Sequence, residues 1–322
     1  MILITGAGGF VGRNTVFHLT KNKIHVKTLV RKKNQLFKDE HIEQIIWKDI
    51  FDRDNNWDEL LLNVDIVIHL IAKTHDLIDS SIENLEDFKK TNELITEKFL
   101  TESIARKVKK FIFISSVKVN GEFTLGDVKF GPDDQVKPNT FYGITKFHAE
   151  NRIIELCKNS SMSYVIIRCP LVYGPGVKAN FENLINLHRF NFPIPASGLK
   201  NHKRSFVGIN NLVDFILLCC SNPRANNQKF MISDNQDVSS FELIYKIGLA
   251  MNKKTKYFFL PKIILFPILA FIFGRAAANR FYDNLVVDIS KNSRLLKWKP
   301  PFSLEENLFF LNSKITNKNK DA

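Results

Sequence analysis

Tyr142 and Lys146, in the run Tyr142-Gly143-Ile144-Thr145-Lys146, stand four residues apart at the start of an amphipathic stretch that reads as a helix to about Lys158. That spacing sets a phenol and an ammonium on one helical face. A protonated Lys146 would stabilise a phenolate at Tyr142, and such a tyrosine can take a proton from a hydroxyl or return one to a carbonyl oxygen. Upstream, Phe111-Ile112-Phe113-Ile114-Ser115-Ser116 runs from apolar residues into two hydroxyls. If this run is a strand of an open α/β sheet, its C-terminal end faces the ligand crevice, where Ser116 could bond the same substrate oxygen. Ser115 has two readings, a contact with a bound cofactor or a hydroxyl that satisfies local backbone. The Tyr-Lys spacing alone is common on solvated helices. Its weight comes from the company it keeps.

The first such companion is Gly6-Ala7-Gly8-Gly9-Phe10-Val11-Gly12, which follows the apolar run Ile2–Thr5 and opens a helical segment, Gly9–Thr20. Strand, glycine turn and helix in that order form a phosphate cradle. Gly6 permits the tight turn, Gly9 lets backbone approach a pyrophosphate, and Gly12 allows the helix to pack close on the strand. The helix N-terminus, with Phe10 and Val11, then offers free N–H groups and a positive dipole end. The second strand ends in Val30-Arg31-Lys32-Lys33 rather than in the carboxylate that usually meets the ribose hydroxyls of NAD. Cations there suit a 2′-phosphate, so NADP(H) is favoured with NAD(H) still open. Asp49 either contacts the adenine ring or caps a helix. With this turn in place, Tyr142, Lys146 and Ser116 become a proton-handling group for hydride transfer to or from a nicotinamide.

The elements that must position these residues alternate. Strand candidates are Ile2–Thr5, Ile24–Val30, Gln44–Trp47, Asp65–Leu70, Lys110–Ser116 and Tyr164–Arg168, separated by helix-length segments such as Asp87–Lys107. Alternation of this kind predicts an α/β, doubly wound Rossmann parallel sheet. After Arg168, Pro170, Gly174, Pro175, Gly176, Pro193 and Pro195 punctuate a loop-rich region with one helix, Asn180–Phe190. Lys229–Ile232 could return to the sheet, and the chain from Ser239 reads mostly as helices. The expected division is a dinucleotide-binding domain over 1–168 and about 203–235, and a smaller, mostly helical substrate lobe over 169–202 and about 236–315. Residues 316–322 read as a disordered tail.

Composition narrows the partners. The chain has 322 residues, 44% of them apolar, and a net charge of +13, enough to bury a substantial core. Its basic residues are spread along the chain with a dense run only at Lys314–Lys320, which reads as a solvated surface rather than a nucleic-acid site. Cys157, Cys169, Cys219 and Cys220 form no C-x-x-C pair, so a reduced, cytoplasmic protein without structural metal is expected. Met1–Thr5 already reads as a buried strand, so no signal peptide is expected. The most apolar stretch, Tyr257–Phe273, holds an uncharged run of 12 residues, Ile263–Gly274. That is short of the ~20 needed to span a bilayer. It reads as a helix of the second lobe, with Lys262 and Arg275 leaving peripheral membrane attachment open.

Glycine turn, strand-end serines and Tyr-Lys pair, in this order over nearly the whole chain, resemble the extended short-chain dehydrogenase/reductases, the NAD-dependent epimerase/dehydratase family. The resemblance implies a nucleotide-sugar oxidoreductase with Ser116, Tyr142 and Lys146 catalytic. It places Asn92 in support of the active site, and Ile50, Leu70, Ala72, Ser115 and Pro170 along the cofactor cleft. Arg168-Cys169-Pro170-Leu171-Val172-Tyr173-Gly174-Pro175-Gly176 is similar to the loop that joins nicotinamide to sugar, with Leu171 where many sugar epimerases carry an asparagine. Lys118, Asn180 and Arg204 fall at substrate-binding positions, Arg204 on the diphosphate. The 4,6-dehydratases place an Asp-Glu pair after the catalytic hydroxyl residue; Val117-Lys118 here argues against dehydration. Lys118-Val119-Asn120-Gly121-Glu122 and the loop through Phe181 look like the bacterial UDP-4-keto-6-deoxy-N-acetylhexosamine 4-reductases, which serve surface polysaccharide synthesis. A UDP-hexose 4-epimerase is the alternative, and a non-catalytic dinucleotide sensor a further one that the intact Ser-Tyr-Lys set disfavours. The family's usual homodimer would form through helices 87–107 and 142–158.

Overall fold

The computed structural model describes residues 1–74, 82–177, 180–188 and 192–318. Strand β1 (Ile2–Thr5) is buried along its full length, as a strand covered on both faces must be. It leads through the glycine turn into α1 (Phe10–Lys21) and then β2 (Val26–Val30), β3 (Ile42–Ile46), α2 (Trp57–Leu61) and β4 (Ile66–His69). Next come α3 (Ile82–Phe88), a π-helical turn over Lys89–Leu94, α4 (Ile95–Ala105), β5 (Lys110–Ser116), a 3₁₀ turn over Val117–Val119, and α5 (Phe141–Lys158). β6 (Ser163–Cys169), β7 (Leu171–Tyr173), α6 (Asn180–Asn186), β8 (Phe206–Gly208), α7 (Ile209–Ser221) and β9 (Gln228–Met231) follow. The chain ends in α8 (Ser240–Ala250), α9 (Lys262–Phe273), α10 (Arg275–Asn279), α11 (Ser290–Leu296) and α12 (Leu304–Lys318).

Seven strands form one parallel sheet in the order β3-β2-β1-β4-β5-β6-β9. The strand order reverses between β1 and β4, which places a ligand crevice at the C-terminal ends of those strands. One face is covered by α4 and α5, through Phe99, Leu100, Ala149 and Ile153. The other is covered by α1 and α7, through Val16, Leu19, Leu212 and Phe215. Two smaller cores lie outside the sheet, one around Phe181, Phe206 and Leu243 and one around Leu199, Leu265 and Leu269.

Three features depart from the sequence reading. Helix α7 lies where the sequence reading placed no helix; it is amphipathic, with Leu212, Phe215, Ile216 and Cys219 buried against the sheet and Asp214 exposed. β7 and β8 make a separate two-stranded parallel sheet, too short for periodicity to reveal. Leu285, Val287, Ile289, Leu296 and Trp298 pack into the core beside the main sheet rather than into the second lobe. Trp298 Nε1 donates to Asp214 Oδ2 at 2.7 Å, tying this return to α7. Helix α12 continues to Lys318, past the expected start of a tail at 316, and 319–322 lie outside the described residues. The helix expected over Asn180–Phe190 is α6, which ends at Asn186; 189–191 lie outside the described residues.

Candidate active site

The glycine turn has the geometry of a cradle. Gly6 sits at φ +68°, where a Cβ would lie 2.9 Å from Ile71 N and from the Leu70 carbonyl carbon. A Cβ at Gly12 would lie 2.4 Å from the Gly6 carbonyl oxygen. Gly9 donates its N–H to that same oxygen at 3.0 Å. Gly9 is the N-cap of α1, and no described side chain caps the helix. Uncapped N–H groups beside a backbone surface stripped of side chains fit the pyrophosphate of a dinucleotide. Leu70 and Ala72, half-buried, follow the end of β4 beside this turn. Pro170 joins β6 to β7, and the loop after β7 is latched to α1, where Arg13 Nη2 donates to the Gly176 carbonyl at 2.5 Å.

At the outer edge, Arg31 is exposed just beyond β2, with no carboxylate in the Arg31-Lys32-Lys33 run. Asp49 is exposed and its carboxylate accepts the Phe51 N–H at 3.0 Å. Asp49 is therefore a turn residue and not a helix cap; the N-cap of α2 is Asn56. Ile50 is half-buried against the core beside α2.

Ser116 ends β5 and caps the 3₁₀ turn, its Oγ accepting the Lys118 N–H at 3.3 Å. Its hydroxyl proton is left to donate. Tyr142 lies in the first turn of α5, whose N-cap Thr140 accepts the Gly143 N–H at 3.2 Å. Gly143 is where α5 meets the 3₁₀ turn: a Cβ there would lie 2.6 Å from the Lys118 carbonyl oxygen. That backbone approach brings the Tyr142 turn against the segment continuous with Ser116. One turn on, Lys146 is fully buried, its Nζ 3.8 Å from the centroid of the Phe113 ring. Burial pushes its ammonium down to about 7, with Glu150 and Cys169 working against that fall. Lys146 can therefore hold or release a proton near neutrality.

Glu150 continues the Tyr142-Lys146 face and was not foreseen. It is buried and grips Arg168, which donates from Nε to Oε1 at 3.0 Å and from Nη2 to Oε2 at 2.6 Å. Arg168 also donates from Nη1 to Asn120 Oδ1 at 2.9 Å and to the Pro132 carbonyl at 3.3 Å. Ser115 donates to Glu150 Oε1 at 2.5 Å. Its hydroxyl is therefore engaged inside the sheet edge rather than offered to a cofactor. Parallel register sets this contact, since Ser115 pairs with Arg168 across β5 and β6.

Asn92 is buried in the π-helical turn, a local widening often found at functional sites. Its Oδ1 accepts the Lys73 N–H at 2.9 Å and its Nδ2 donates to Thr145 Oγ1 at 3.0 Å. Thr145 in turn donates to the Phe141 carbonyl at 2.8 Å, in the turn that carries Tyr142. Thr96 donates to the Asn92 carbonyl at 2.7 Å, so His69 Nε2, 3.2 Å from Thr96 Oγ1, must be the donor there. Nδ1 of His69 then accepts from Thr5 Oγ1 at 2.9 Å. Burial, and next the charge of Lys146, hold this histidine down at about 3, neutral throughout. A continuous polar chain thus runs from β1 beneath the glycine turn to the helix that carries Tyr142 and Lys146. No sequence pattern announced it.

Of the expected substrate residues, Lys118 pairs with Glu122 at 3.1 Å. Asn180 begins α6. Arg204 lines a cavity of about 80 Å³ with Leu171, Phe181, Phe206, Phe281 and a second guanidinium, Arg280, that sequence reasoning missed. Burial, then the proximity of Arg280, pushes Arg204 down to about 10. An anionic ligand group would relieve both effects.

Known proteins share this fold. A UDP-glucose 4-epimerase of Vibrio cholerae is 39% identical over 307 residues, covering 95% of this chain and 92% of that protein. A dTDP-D-glucose 4,6-dehydratase of Dictyostelium discoideum is 27% identical over 267 residues, 76% of this chain and 61% of that one. The fold matches the UDP-glucuronic acid 4-epimerase of Bacillus cereus in complex with NAD, with TM-score 0.78 at 22% identity over 98% of this chain and 99% of that one. It also matches the dTDP-glucose 4,6-dehydratase of Bacillus anthracis in complex with NAD, with TM-score 0.74 at 15% identity over 99% and 97% of the two chains. Residues 2–233 match the family itself, and the chain is an enzyme of the NAD dependent epimerase/dehydratase family.

Proposed function

We propose that the chain is an NAD-dependent 4-epimerase of a UDP-linked hexose or N-acetylhexosamine. The observation that carries this reading is a single acid–base pair, Tyr142 and Lys146 on one face of α5, on the turn packed against the segment continuous with Ser116, with no second proton-transfer pair beside it among the described residues. Val117 is buried and Lys118 is paired with Glu122, so the elimination of water has no obvious base. The 39% identity to a UDP-glucose 4-epimerase over almost the full chain favours epimerisation over simple reduction.

In this reading Arg204 and Arg280 hold the diphosphate in the cavity they share, and Leu171 with Phe181 shapes its apolar wall. Ser116 donates to the C4 oxygen. Tyr142 takes the C4 hydroxyl proton as the C4–H leaves as hydride, with Lys146 stabilising the phenolate. NAD held on the Gly6–Gly12 turn would supply the hydride acceptor and donor for this exchange. The keto sugar turns over in the cavity between the two transfers, and Tyr142 gives its proton back to the opposite C4 configuration. One hydride and one proton leave and return, so no cofactor is consumed. A homodimer through α4 and α5, and a role in supplying surface polysaccharide precursors, belong to the same proposal.

A second reading is favoured by one observation. The exposed Arg31-Lys32-Lys33 run at the end of β2 suits NADPH, which a 4-ketoreductase would consume on a UDP-4-keto-6-deoxy-N-acetylhexosamine. A paired assay separates the two. The first arm offers UDP-glucose or UDP-N-acetylglucosamine with NAD and looks for the 4-epimer by NMR. The second offers the keto sugar with NADPH and follows absorbance. Epimer without net cofactor change supports the epimerase; stoichiometric NADPH loss without epimer overturns it in favour of the reductase.

A further inference from the structure

Helix α9 has one face in the protein and one in solvent. Leu265 and Leu269 are buried, whereas Ile263 and Phe271 are 83% and 93% exposed. The exposed residues Ile263, Ile264, Pro267, Ile268, Phe271 and Ile272 recur at i, i+1, i+4, i+5, i+8 and i+9. They form one continuous apolar stripe. Just before the helix, Phe258 and Phe259 add 45% and 67% exposed rings. A patch of this kind marks an interaction surface rather than scattered surface leucines.

Charge indicates what it meets. Residues 243–282 hold seven lysines and arginines and no aspartate or glutamate. Lys254 and Lys256 are exposed immediately before Phe258, Lys262 opens α9, and Arg275 is exposed just past its end. An apolar stripe bracketed by cations complements an anionic lipid interface, where the apolar face enters the acyl boundary and the cations meet phosphates. The helix has 12 residues, about 18 Å at 1.5 Å per residue. That is too short to cross the ~30 Å hydrocarbon core, and among the described residues no helix is long and apolar enough to cross a membrane.

We propose that α9 docks this enzyme on an anionic membrane surface, its Ile263–Phe271 face lying in the interface and Lys254, Lys256, Lys262 and Arg275 engaging lipid phosphates. Phe273, Ala277 and Arg280, from the end of α9 through α10 and just beyond it, line the Arg204 cavity. Docking therefore sets that cavity close to the lipid surface, where a nucleotide sugar would be released toward membrane-bound acceptors.

The test is co-sedimentation of the whole protein with vesicles of phosphatidylglycerol and phosphatidylcholine, against vesicles of phosphatidylcholine alone. Binding should favour the anionic vesicles by at least about tenfold and fade as salt is raised from about 0.1 M to about 0.5 M. Ile263→Glu with Phe271→Glu should lower anionic-vesicle binding at least about tenfold while leaving the thermal transition in place, since both side chains already face water. In a Phe271→Trp variant, indole emission should shift to the blue on anionic vesicles. Equal binding to both lipids, no binding, or binding unaffected by the double substitution would overturn the proposal. So would wild-type dimers that Ile263→Glu with Phe271→Glu converts to monomers, which would assign the face to a second copy of this chain.

Discussion

Replacing Gly143 with alanine tests, through a single methyl group, how Tyr142, the proposed acid–base group, is held. The added Cβ would lie 2.6 Å from the Lys118 carbonyl oxygen and 3.2 Å from Thr140 Oγ1. Ordinary contact begins at 3.4 Å, so α5 and the 3₁₀ turn must part by about 0.8 Å (3.4 − 2.6). The closest partner is backbone, and no side-chain rotation can absorb the clash. What separates is the turn bearing Tyr142 from the segment continuous with Ser116, the two groups meant to share one substrate oxygen. A displacement near 1 Å can cost about 10²-fold in rate, so kcat should fall about 30- to 100-fold. Stability should change far less. Overpacking costs about 1–3 kcal/mol, and alanine regains about 1 kcal/mol over glycine within a helix. Steady-state turnover in the responding arm of the paired assay, read beside a thermal melt, separates the two effects. A variant with kcat within about threefold of wild type would refute the claim that this contact positions Tyr142.

Three further outcomes follow from buried geometry. Gly12→Ala places a Cβ 2.4 Å from the Gly6 carbonyl oxygen, and calorimetry should show NAD binding weakened at least about tenfold; unchanged affinity would mean that the cofactor does not use this cradle. Glu150→Ala strands the buried Arg168 guanidinium, and urea denaturation should report a loss of about 3–5 kcal/mol; a loss under about 1 kcal/mol would remove the pair from the account of how β5, β6 and α5 are tied. His69 is held near 3 against an ordinary 6.5, so the unfolded chain binds the extra proton between those values. Its contribution to stability is full above pH 6.5 and drains as pH falls toward 3, by up to about 1.4 kcal/mol per pH unit. His69→Asn lacks that titration, so parallel stability curves for variant and wild type across this range would contradict the buried neutral histidine.

Much of the site could be read before the fold. The glycine spacing after an apolar strand announced the cradle, because a Cβ at Gly6 would strike the Leu70–Ile71 backbone and one at Gly12 the Gly6 carbonyl. The strand ending in Ser116 was legible as a short apolar run, and the Tyr142–Lys146 helix by its spacing, because both are local properties of a chain. Extending that helical face by one more turn reaches Glu150, a signal available but not taken. Helix α7 carries the same kind of period, with Leu212, Phe215, Ile216 and Cys219 on one buried face, and it too was overlooked. Arg280 escaped because nothing local distinguishes a lysine or arginine at a cavity wall from one in solvent.

The sequence by itself therefore determined the strands of the main sheet, the glycine turn and the placing of Tyr142 and Lys146 on one helical face, all of which depend on residues within a few positions of one another. Only the tertiary structure decided which groups those elements bring together. Ser115 meets Glu150 and Arg168 because β5 and β6 pair in one particular parallel register. His69 is neutral because burial and the charge of Lys146 disfavour its cation. Arg204 and Arg280 converge because separate segments fold onto the same cavity. Such interactions join residues 18 to 77 positions apart. Their energies depend on desolvation and distance, which no local spacing encodes.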